Sequence, residues 1–154
     1  MDLYLMQHGE AKAESEDPAR PLSERGRREV ELVARQAARL RLGITLVEHS
    51  GKLRARETAE ILVARLEPRP RVDERPGLAP NDNPDDLARA LHDPSETRLL
   101  VGHLPHLSRL LSLLVVADSA RPILAFRMGA LVALRHGAEG FRLRFVLLPE
   151  LVAE

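Results

Sequence analysis

Short apolar runs alternate with amphipathic segments along most of this chain, and this alternation limits its fold more than any other feature. Apolar residues fill positions 3–6 and predominate in 44–47 and 97–102, and short apolar runs of this kind are typical of buried strands. A segment with apolar residues at helical spacing follows each run. Because parallel strands need long crossovers, the pattern predicts an α/β fold with a largely parallel sheet covered by helices on both faces.

Local signals predict where several of these elements begin. Ser23 is the expected N-cap of the first helix, and Pro105 is expected to begin the last one. Asn83 and Pro84 are predicted as the N-cap and first residue of a helix that starts with two aspartates. Residues 68–84 contain five prolines, so we expect a connection without regular structure there.

The end of the chain carries the signal of a β-hairpin. Residues 123–135 and 141–148 are predicted strands on either side of a turn rich in glycine. They would add an antiparallel edge to the parallel sheet. A length of 154 residues suits one domain, and we expect a single domain over residues 1–154.

The composition excludes several classes of function. With 23 basic and 23 acidic side chains the chain has no net charge, which argues against broad binding to nucleic acid or to anionic membranes. The absence of cysteine excludes disulfides, thiolate nucleophiles and thiolate metal sites. The first residues lack the basic and apolar regions of a signal peptide, so the expected location is the cytoplasm. Histidine, carboxylate, hydroxyl and arginine side chains remain for any chemistry.

Three of the predicted parallel strands end in polar residues that suit an anion site. His8, the pair His49 and Ser50, and His103 each follow an apolar run directly. Ligands of such sheets bind beyond the carboxyl ends of the strands. Arg54 lies one helical turn after Ser50, so a helix N-terminus and a guanidinium could face one phosphate.

Four separated motifs, in order, resemble the histidine phosphatase superfamily. They are Leu-Met-Gln7-His8-Gly9-Glu10-Ala11, Arg20-Pro-Leu-Ser-Glu-Arg-Gly26, Ser50-x-x-x-Arg54-Ala-x-x-Thr58-Ala and Val-Gly102-His103-x-Pro. The resemblance spans most of the chain and implies a three-layer α/β/α sandwich. It also implies a phosphatase in which a histidine attacks phosphorus and is transiently phosphorylated, with no metal and no cofactor.

The resemblance assigns a role to each matching residue. It implies that His8 is the nucleophile and that Arg54 and His103 clamp the phosphoryl oxygens, with Gly9 and Ser50 beside them. A neutral imidazole is available near neutral pH, and fixed cations stabilise the charge that develops in phosphoryl transfer. A backbone carbonyl on the other ring nitrogen is the simplest way to hold His8 in one tautomer.

The chain departs from the family pattern just before the nucleophile. Members of the family usually have arginine there, whereas this chain has Gln7. Loss of a charge-assisted contact costs about 1.5 to 3 kcal/mol, which predicts weakened rather than absent activity. Arg20, in a segment that resembles the family's Arg-Pro-Leu-Thr stretch, could restore the positive charge or could be a solvated loop residue.

A second departure concerns the general acid. Relatives that cleave phosphate esters resemble one another in a glutamate two residues after a leucine, and here Leu78 is followed at that distance by Pro80. The stretch and the short chain resemble the small SixA-like phosphohistidine phosphatases, whose leaving imidazole is readily protonated. Asn81 or Asp82 could assist, although turn formation and helix capping are their more common roles.

These departures favour phosphohistidine in a protein as substrate. The implied partner is a phosphorylated protein, such as a histidine-containing phosphotransfer domain, rather than nucleic acid or membrane. A small-molecule phosphomonoesterase remains an alternative, because a fold does not select the substrate. A degenerate phosphate-binding module without turnover is the other alternative, because Gln7 lacks the charge of arginine. A phosphoglycerate mutase is the least favoured, since mutases resemble the family with a longer chain and the missing glutamate.

The remaining histidines are expected to be structural. Arg135-His136-Gly137 reproduces the family triplet letter for letter, but it lies in the predicted hairpin with no later motif, so we interpret it as a turn. His49 could line the pocket, although a loop histidine without a partner is more often only a loop residue. His92 and His106 follow helical spacing and suggest no chemistry.

Overall fold

A computed structural model, which describes residues 1–152, shows a six-stranded mixed sheet between two layers of helices. Most of its helices connect one strand to the next, as the alternation in the sequence predicts. The strands are β1 (Asp2–Gln7), β2 (Leu46–His49), β3 (Arg71–Glu74), β4 (Arg98–Gly102), β5 (Leu131–Gly137) and β6 (Gly140–Leu147). The helices are α1 (Glu24–Leu40), α2 (Leu53–Arg65), α3 (Asp85–Leu91) and α4 (His106–Val116), followed by a 3₁₀ turn (Pro149–Leu151).

The strand order, β3-β2-β4-β1-β5-β6, determines which loops meet. The first four strands in that order are parallel, whereas β5 is antiparallel to β1 and β6 is antiparallel to β5. This confirms the predicted α/β fold with an antiparallel edge. The carboxyl ends of β1, β4 and β2 lie side by side, so the residues that follow these three strands share one edge of the sheet.

Both faces of the central strands are buried, which explains why those strands are continuously apolar. In β1, Tyr4 and Met6 pack into the core beneath α1 and α2, whereas Leu3 and Leu5 pack into the core beneath α3 and α4. All four side chains are at most 3% exposed. Within residues 1–152, no helix has the length and apolar character that a membrane crossing requires.

The predicted helix starts are correct to within one residue. Ser23 is the N-cap of α1, and its hydroxyl accepts the N–H of Gly26 at 3.0 Å. For α3 the expected order is wrong by one position, because Pro84 is itself the N-cap and the Asn83 side chain accepts the N–H of Asp85 from outside the helix. Pro105 similarly precedes α4 as its N-cap.

Two strand predictions are wrong. Residues 68–84 are not wholly irregular, because they contain β3, which pairs in parallel with β2 at the edge of the sheet. All four β3 residues are exposed, so the strand carries no apolar signal. The last hairpin begins at Leu131 rather than at residue 123. Ile123, Leu124 and Phe126 pack against the core beneath α3 and α4, but their segment does not pair as a strand.

Candidate active site

His8 lies at the carboxyl end of β1, where β1 meets β4. Its backbone N–H donates to the carbonyl of Gly102 at 3.1 Å, and the residue is 8% exposed. The ring Nδ1 lies 2.7 Å from the carbonyl oxygen of Gly9. Because a carbonyl can only accept, Nδ1 carries the proton and Nε2 keeps its lone pair. This is the backbone contact expected from the sequence, and it leaves Nε2 as the atom able to attack phosphorus.

Burial keeps the His8 ring neutral. Desolvation lowers the pKa of His8 to about 4, against the opposing effect of the hydrogen bond to Gly9, and the charges of Arg54 and Arg20 lower the pKa further. The neutral form of imidazole is the nucleophilic one, and the low pKa keeps His8 in that form at neutral pH.

His103, at the end of β4, faces His8. The two ring centroids are 5.0 Å apart and the rings are tilted by 52°. His103 is 2% exposed, and burial, together with neighbouring cationic and imidazole groups, lowers its pKa to about 3. Its Nε2 lies 2.6 Å from the hydroxyl of Ser50, so the polar ends of β2 and β4 meet as predicted. Its Nδ1 is buried and has no hydrogen-bond partner among the residues that the structure describes.

Arg54 extends from the first turn of α2 into the same region. Its Nε is buried and finds no hydrogen-bond partner within residues 1–152. Burial lowers the pKa of Arg54, and the charge of Arg20 lowers it further. A partly buried guanidinium nitrogen without a partner is costly unless an anion binds there, and a phosphoryl oxygen would satisfy it.

Arg20 carries a positive charge close to His8 and Arg54. It adopts a left-handed backbone conformation, with φ of 49°, and its Nε donates to the carbonyl of Lys12 at 3.1 Å. Its charge lowers the pKa of both His8 and Arg54. The structure thus gives Arg20 a position from which it can supply the charge that Gln7 lacks.

Gln7 ends β1 directly before His8. Its backbone carbonyl accepts the N–H of Gly129 at 3.0 Å. Its side-chain Oε1 is buried without a hydrogen-bond partner in the described part of the chain. Gln7 therefore brings an uncharged side chain with an unpaired amide oxygen to the position directly before His8.

Gly9 allows α1 to lie close to the segment that carries His8. A Cβ added to Gly9 would lie 2.7 Å from a methyl group of Val30 and 3.1 Å from the carbonyl of Gly26. These distances are too short for a larger residue without movement of α1. The Gly9 backbone also contacts Thr58, a fully buried residue of α2 whose hydroxyl accepts the Gly9 N–H at 3.1 Å.

Asn81 and Asp82 form a turn rather than part of the histidine cluster. The Asp82 carboxylate accepts the N–H of Ala79 at 2.9 Å and closes the turn around Pro80. The charge of Asp82 acts on His106, whereas the charged groups that shift the pKa of His8 within the described chain are arginines. Asp82 thus forms the turn, and its carboxylate makes no hydrogen bond to His8 or His103 among the described residues.

Three further polar side chains are buried near the residues of the site. Thr58 was part of a recognised motif, but its bond to Gly9 joins residues 49 positions apart and has no local signal. His106 is fully buried at the start of α4, and neither of its ring nitrogens has a partner among the described residues. His49 is also buried, and its Nδ1 accepts the N–H of Gly51 at 3.1 Å.

Comparison with known proteins agrees with this geometry. The model of the histidine phosphatase superfamily (branch 1) matches residues 3–79, the part that contains His8, Arg20, Ser50 and Arg54. The chain belongs to this superfamily. An uncharacterized protein from Picosynechococcus sp. is 34% identical over 146 residues, which cover 90% of this chain and 87% of the relative.

Solved structures of the family share the whole fold. The protein histidine phosphatase SixA complexed with tungstate superimposes with a TM-score of 0.84 at 23% identity, covering 97% of both chains. A candidate phosphohistidine phosphatase SixA from Nakamurella multipartitia superimposes with a TM-score of 0.75 at 25% identity, covering 96% of this chain and 95% of its own. The resemblance to a compact histidine phosphatase therefore extends over nearly the full length of both chains.

Proposed function

We propose that this protein is a metal-independent phosphatase that hydrolyses phosphohistidine in a protein, with His8 as the nucleophile. One observation carries the proposal. The His8 ring is neutral, its Nδ1 is occupied by the Gly9 carbonyl, and its free Nε2 shares the site with His103 and Arg54. A neutral imidazole nitrogen close to the positive charges of Arg54 and Arg20 suits nucleophilic attack on phosphorus.

The reaction proceeds in two displacements. The Nε2 lone pair of His8 forms a bond to phosphorus while the phosphorus–nitrogen bond of the substrate breaks, and the departing imidazole nitrogen takes up a proton from solvent. Water then attacks the phosphorylated His8, which releases inorganic phosphate and restores the neutral ring. Arg54 and His103 lower the barrier of both steps by donating to the equatorial oxygens, where negative charge accumulates.

The turn around Pro80 supports phosphohistidine over a phosphate ester. An ester releases an alkoxide and needs a strong proton donor, whereas imidazole is protonated near neutral pH. The nearest carboxylate in this turn, that of Asp82, is engaged with the N–H of Ala79. A substrate whose leaving group needs little acid assistance fits these surroundings best.

Exposed apolar residues beside the site support a protein substrate. Leu104 follows His103 directly, and Met128 precedes Gly129, which is hydrogen-bonded to Gln7. Each of these two side chains is 37% exposed. They lie at the carboxyl ends of the neighbouring strands β4 and β1, where a protein that carries a phosphorylated side chain would make contact.

The first experiment compares substrates in the presence of EDTA. The panel contains a phosphotransfer domain phosphorylated on histidine, free phosphohistidine, p-nitrophenyl phosphate and small phosphate esters, with His8→Ala as the blank. We expect dephosphorylation of the domain that depends on His8 and is faster than turnover of the esters. Faster hydrolysis of a small ester would instead favour the phosphomonoesterase, and dependence on a metal would contradict the mechanism.

A pair of matched variants tests whether the protein surface of the substrate matters. Leu104→Asp should raise KM for the phosphorylated domain about 10-fold, because a charge replaces an apolar contact. Its turnover of free phosphohistidine should not change. The control is Leu143→Asp on β6, where the native leucine is 39% exposed and distant in the sheet. Equal effects of the two variants would contradict a protein substrate that docks beside His103.

Gln7 gives one observation that favours a second function. With no charge before the nucleophile, the pocket could retain a phosphorylated partner without turning it over. In that case inorganic phosphate would bind at micromolar to millimolar concentration while His8 stays unlabelled by a ³²P-phosphorylated substrate. Rapid labelling of His8 would exclude this phosphate-binding module.

A further inference from the structure

Thr58 connects the segment that carries the nucleophile to the helix that carries Arg54. Its hydroxyl oxygen accepts the N–H of Gly9 at 3.1 Å and donates its own proton to the carbonyl of Arg54 at 2.8 Å. The residue is fully buried, so water does not compete for these bonds. Its side chain therefore holds two backbone groups that come from distant parts of the chain.

The bond to Arg54 has a consequence for the bond to Gly9. A threonine within a helix often donates to the carbonyl four residues earlier, so the contact with Arg54 is ordinary by itself. Once the hydroxyl proton is committed to that carbonyl, the oxygen presents only lone pairs on its other side. It can then accept from a donor such as the Gly9 N–H, but it cannot donate there.

Gly9 extends the connection to the attacking ring. Its carbonyl accepts the His8 Nδ1–H at 2.7 Å, while its N–H is held by Thr58. The backbone of Gly9 is thus held at both of its polar atoms. A continuous series of hydrogen bonds runs from the His8 ring through Gly9 and Thr58 to the backbone of Arg54.

We propose that Thr58 is a positioning residue that sets the geometry between His8 Nε2 and the Arg54 guanidinium for attack on phosphorus. The inference rests on the proposed function for its kinetic consequences. In-line attack tolerates little displacement, and a misplacement of about 1 Å can cost roughly 100-fold in rate. The Gly9 N–H would otherwise be a buried donor without a partner, free to rotate with its peptide.

Isosteric and conservative variants separate the hydrogen bonds from the packing. Thr58→Val keeps the shape and loses both bonds, and it should lower kcat roughly 10- to 100-fold. Its affinity for inorganic phosphate should change less than about 3-fold, because the charges of Arg54 and Arg20 remain. Thr58→Ser keeps the hydroxyl and should stay within about 3-fold of the native kcat. The control is Thr45→Val, which removes a hydroxyl bonded to Glu96 outside the site.

Three results would overturn the proposal. They are a native kcat in folded Thr58→Val, an equal loss of kcat in the valine and serine variants, and a loss confined to the melting temperature. A measurement on the native protein also decides the matter if the valine variant does not fold. The Gly9 amide should be protected from hydrogen exchange, and free exchange would refute the bond.

The failure of the proposed function has a different signature. Native protein that hydrolyses nothing on the substrate panel contradicts the phosphatase, whereas the protection of Gly9 still reports on the Thr58 bond. Native protein that is active, with an active Thr58→Val variant, contradicts the role of Thr58 alone. The two hypotheses are therefore tested by different observations.

Discussion

The chain contains two histidine–glycine pairs, at His8 and at His136. Only the second is preceded by the arginine that is usual in the family, and it lies outside the candidate site. Arg135-His136-Gly137 is at the end of β5 in the last hairpin, where Arg135 is bonded to Asp2 and the His136 ring packs 4.9 Å from Phe141. Gln7-His8-Gly9 is at the carboxyl end of a central parallel strand, opposite His103. The comparison teaches that the position in the sheet, more than the triplet, determines which imidazole can meet a phosphate.

The largest expected difference between the two pairs is in the nucleophile. His8→Ala should lower turnover of a phosphorylated domain by at least roughly 10,000-fold, since the covalent step is lost. His136→Ala should leave turnover unchanged, because its ring contacts only the hairpin and its neighbours. Radiolabel transfer to protein, followed by mapping of the phosphorylated residue, checks both variants. Label on His136, or activity in His8→Ala, would reverse the assignment.

Substitutions of Arg54, in the candidate site, and of Arg135, in the hairpin, should differ almost as much in their effect on kcat. Arg54→Ala removes a donor to the phosphoryl oxygens and should lower kcat about 100- to 1,000-fold. Arg135→Ala breaks an exposed ion pair with Asp2 and should leave kcat unchanged. Steady-state kinetics of the two purified variants measure this difference. A loss of less than about 5-fold in Arg54→Ala would mean that Arg20 alone can bind the phosphoryl group.

Exchanging the residues before each histidine sharpens the comparison further. Gln7→Arg should raise kcat/KM about 10-fold, because a charge-assisted contact is worth about 1.5 to 3 kcal/mol. Arg135→Gln, the reciprocal change in the hairpin, should have no effect on kcat/KM. In an Arg20→Gln background, Gln7→Arg should raise kcat/KM by a larger factor. No gain in either background would show that the pocket needs no cation at this position.

The last expected effect concerns the stability of the folded protein in acid rather than its turnover. The folded protein holds His8 and His103 with pKa values of about 4 and 3, whereas an unfolded histidine titrates near 6.5. The unfolded state therefore binds more protons below pH 6.5, and the free energy of unfolding should fall as the pH drops toward 4. Each of the two rings should contribute about 2 kcal/mol to the loss between pH 7 and pH 5.

Urea denaturation at several pH values measures this loss. His8→Asn and His103→Asn should each reduce the pH dependence, and His136→Asn is the matched control. Inorganic phosphate should also reduce it, because a bound anion favours the protonated rings. A pH dependence that is the same in all three variants would mean that other groups, such as carboxylates, cause the acid loss.

The sequence was most informative where a signal is local. Strands β1 and β4 were predicted because burial on both faces makes them continuously apolar, and Ser23 was predicted because a cap needs one hydroxyl near the helix start. Strand β3 was missed because all of its residues are exposed and pair along one edge only. Its strand conformation depends on β2, which lies more than twenty residues earlier in the chain.

In the candidate site, too, the residue types have local sequence signals, whereas the contacts between them have none. Its residue types, His8, Arg54 and His103, follow from three separate motifs at predicted strand and helix ends. The contacts among them have no such signal, because the Ser50 hydroxyl and the His103 ring are 53 positions apart. Asn81 and Asp82 show what the sequence does not decide. A turn residue and a proton donor have the same sequence signal, and only the hydrogen bond from the Ala79 N–H shows that the Asp82 carboxylate forms a turn.

The order of apolar runs, helix caps and polar strand ends was enough to determine an α/β fold and the edge of the sheet where chemistry would occur, because each of these depends on neighbouring residues. Tertiary structure decided the rest. It determined that Nε2 of His8 is the free nitrogen, that Thr58 holds Gly9, and that His136 is only part of a hairpin. These outcomes depend on distances between residues far apart in the chain, which packing alone sets.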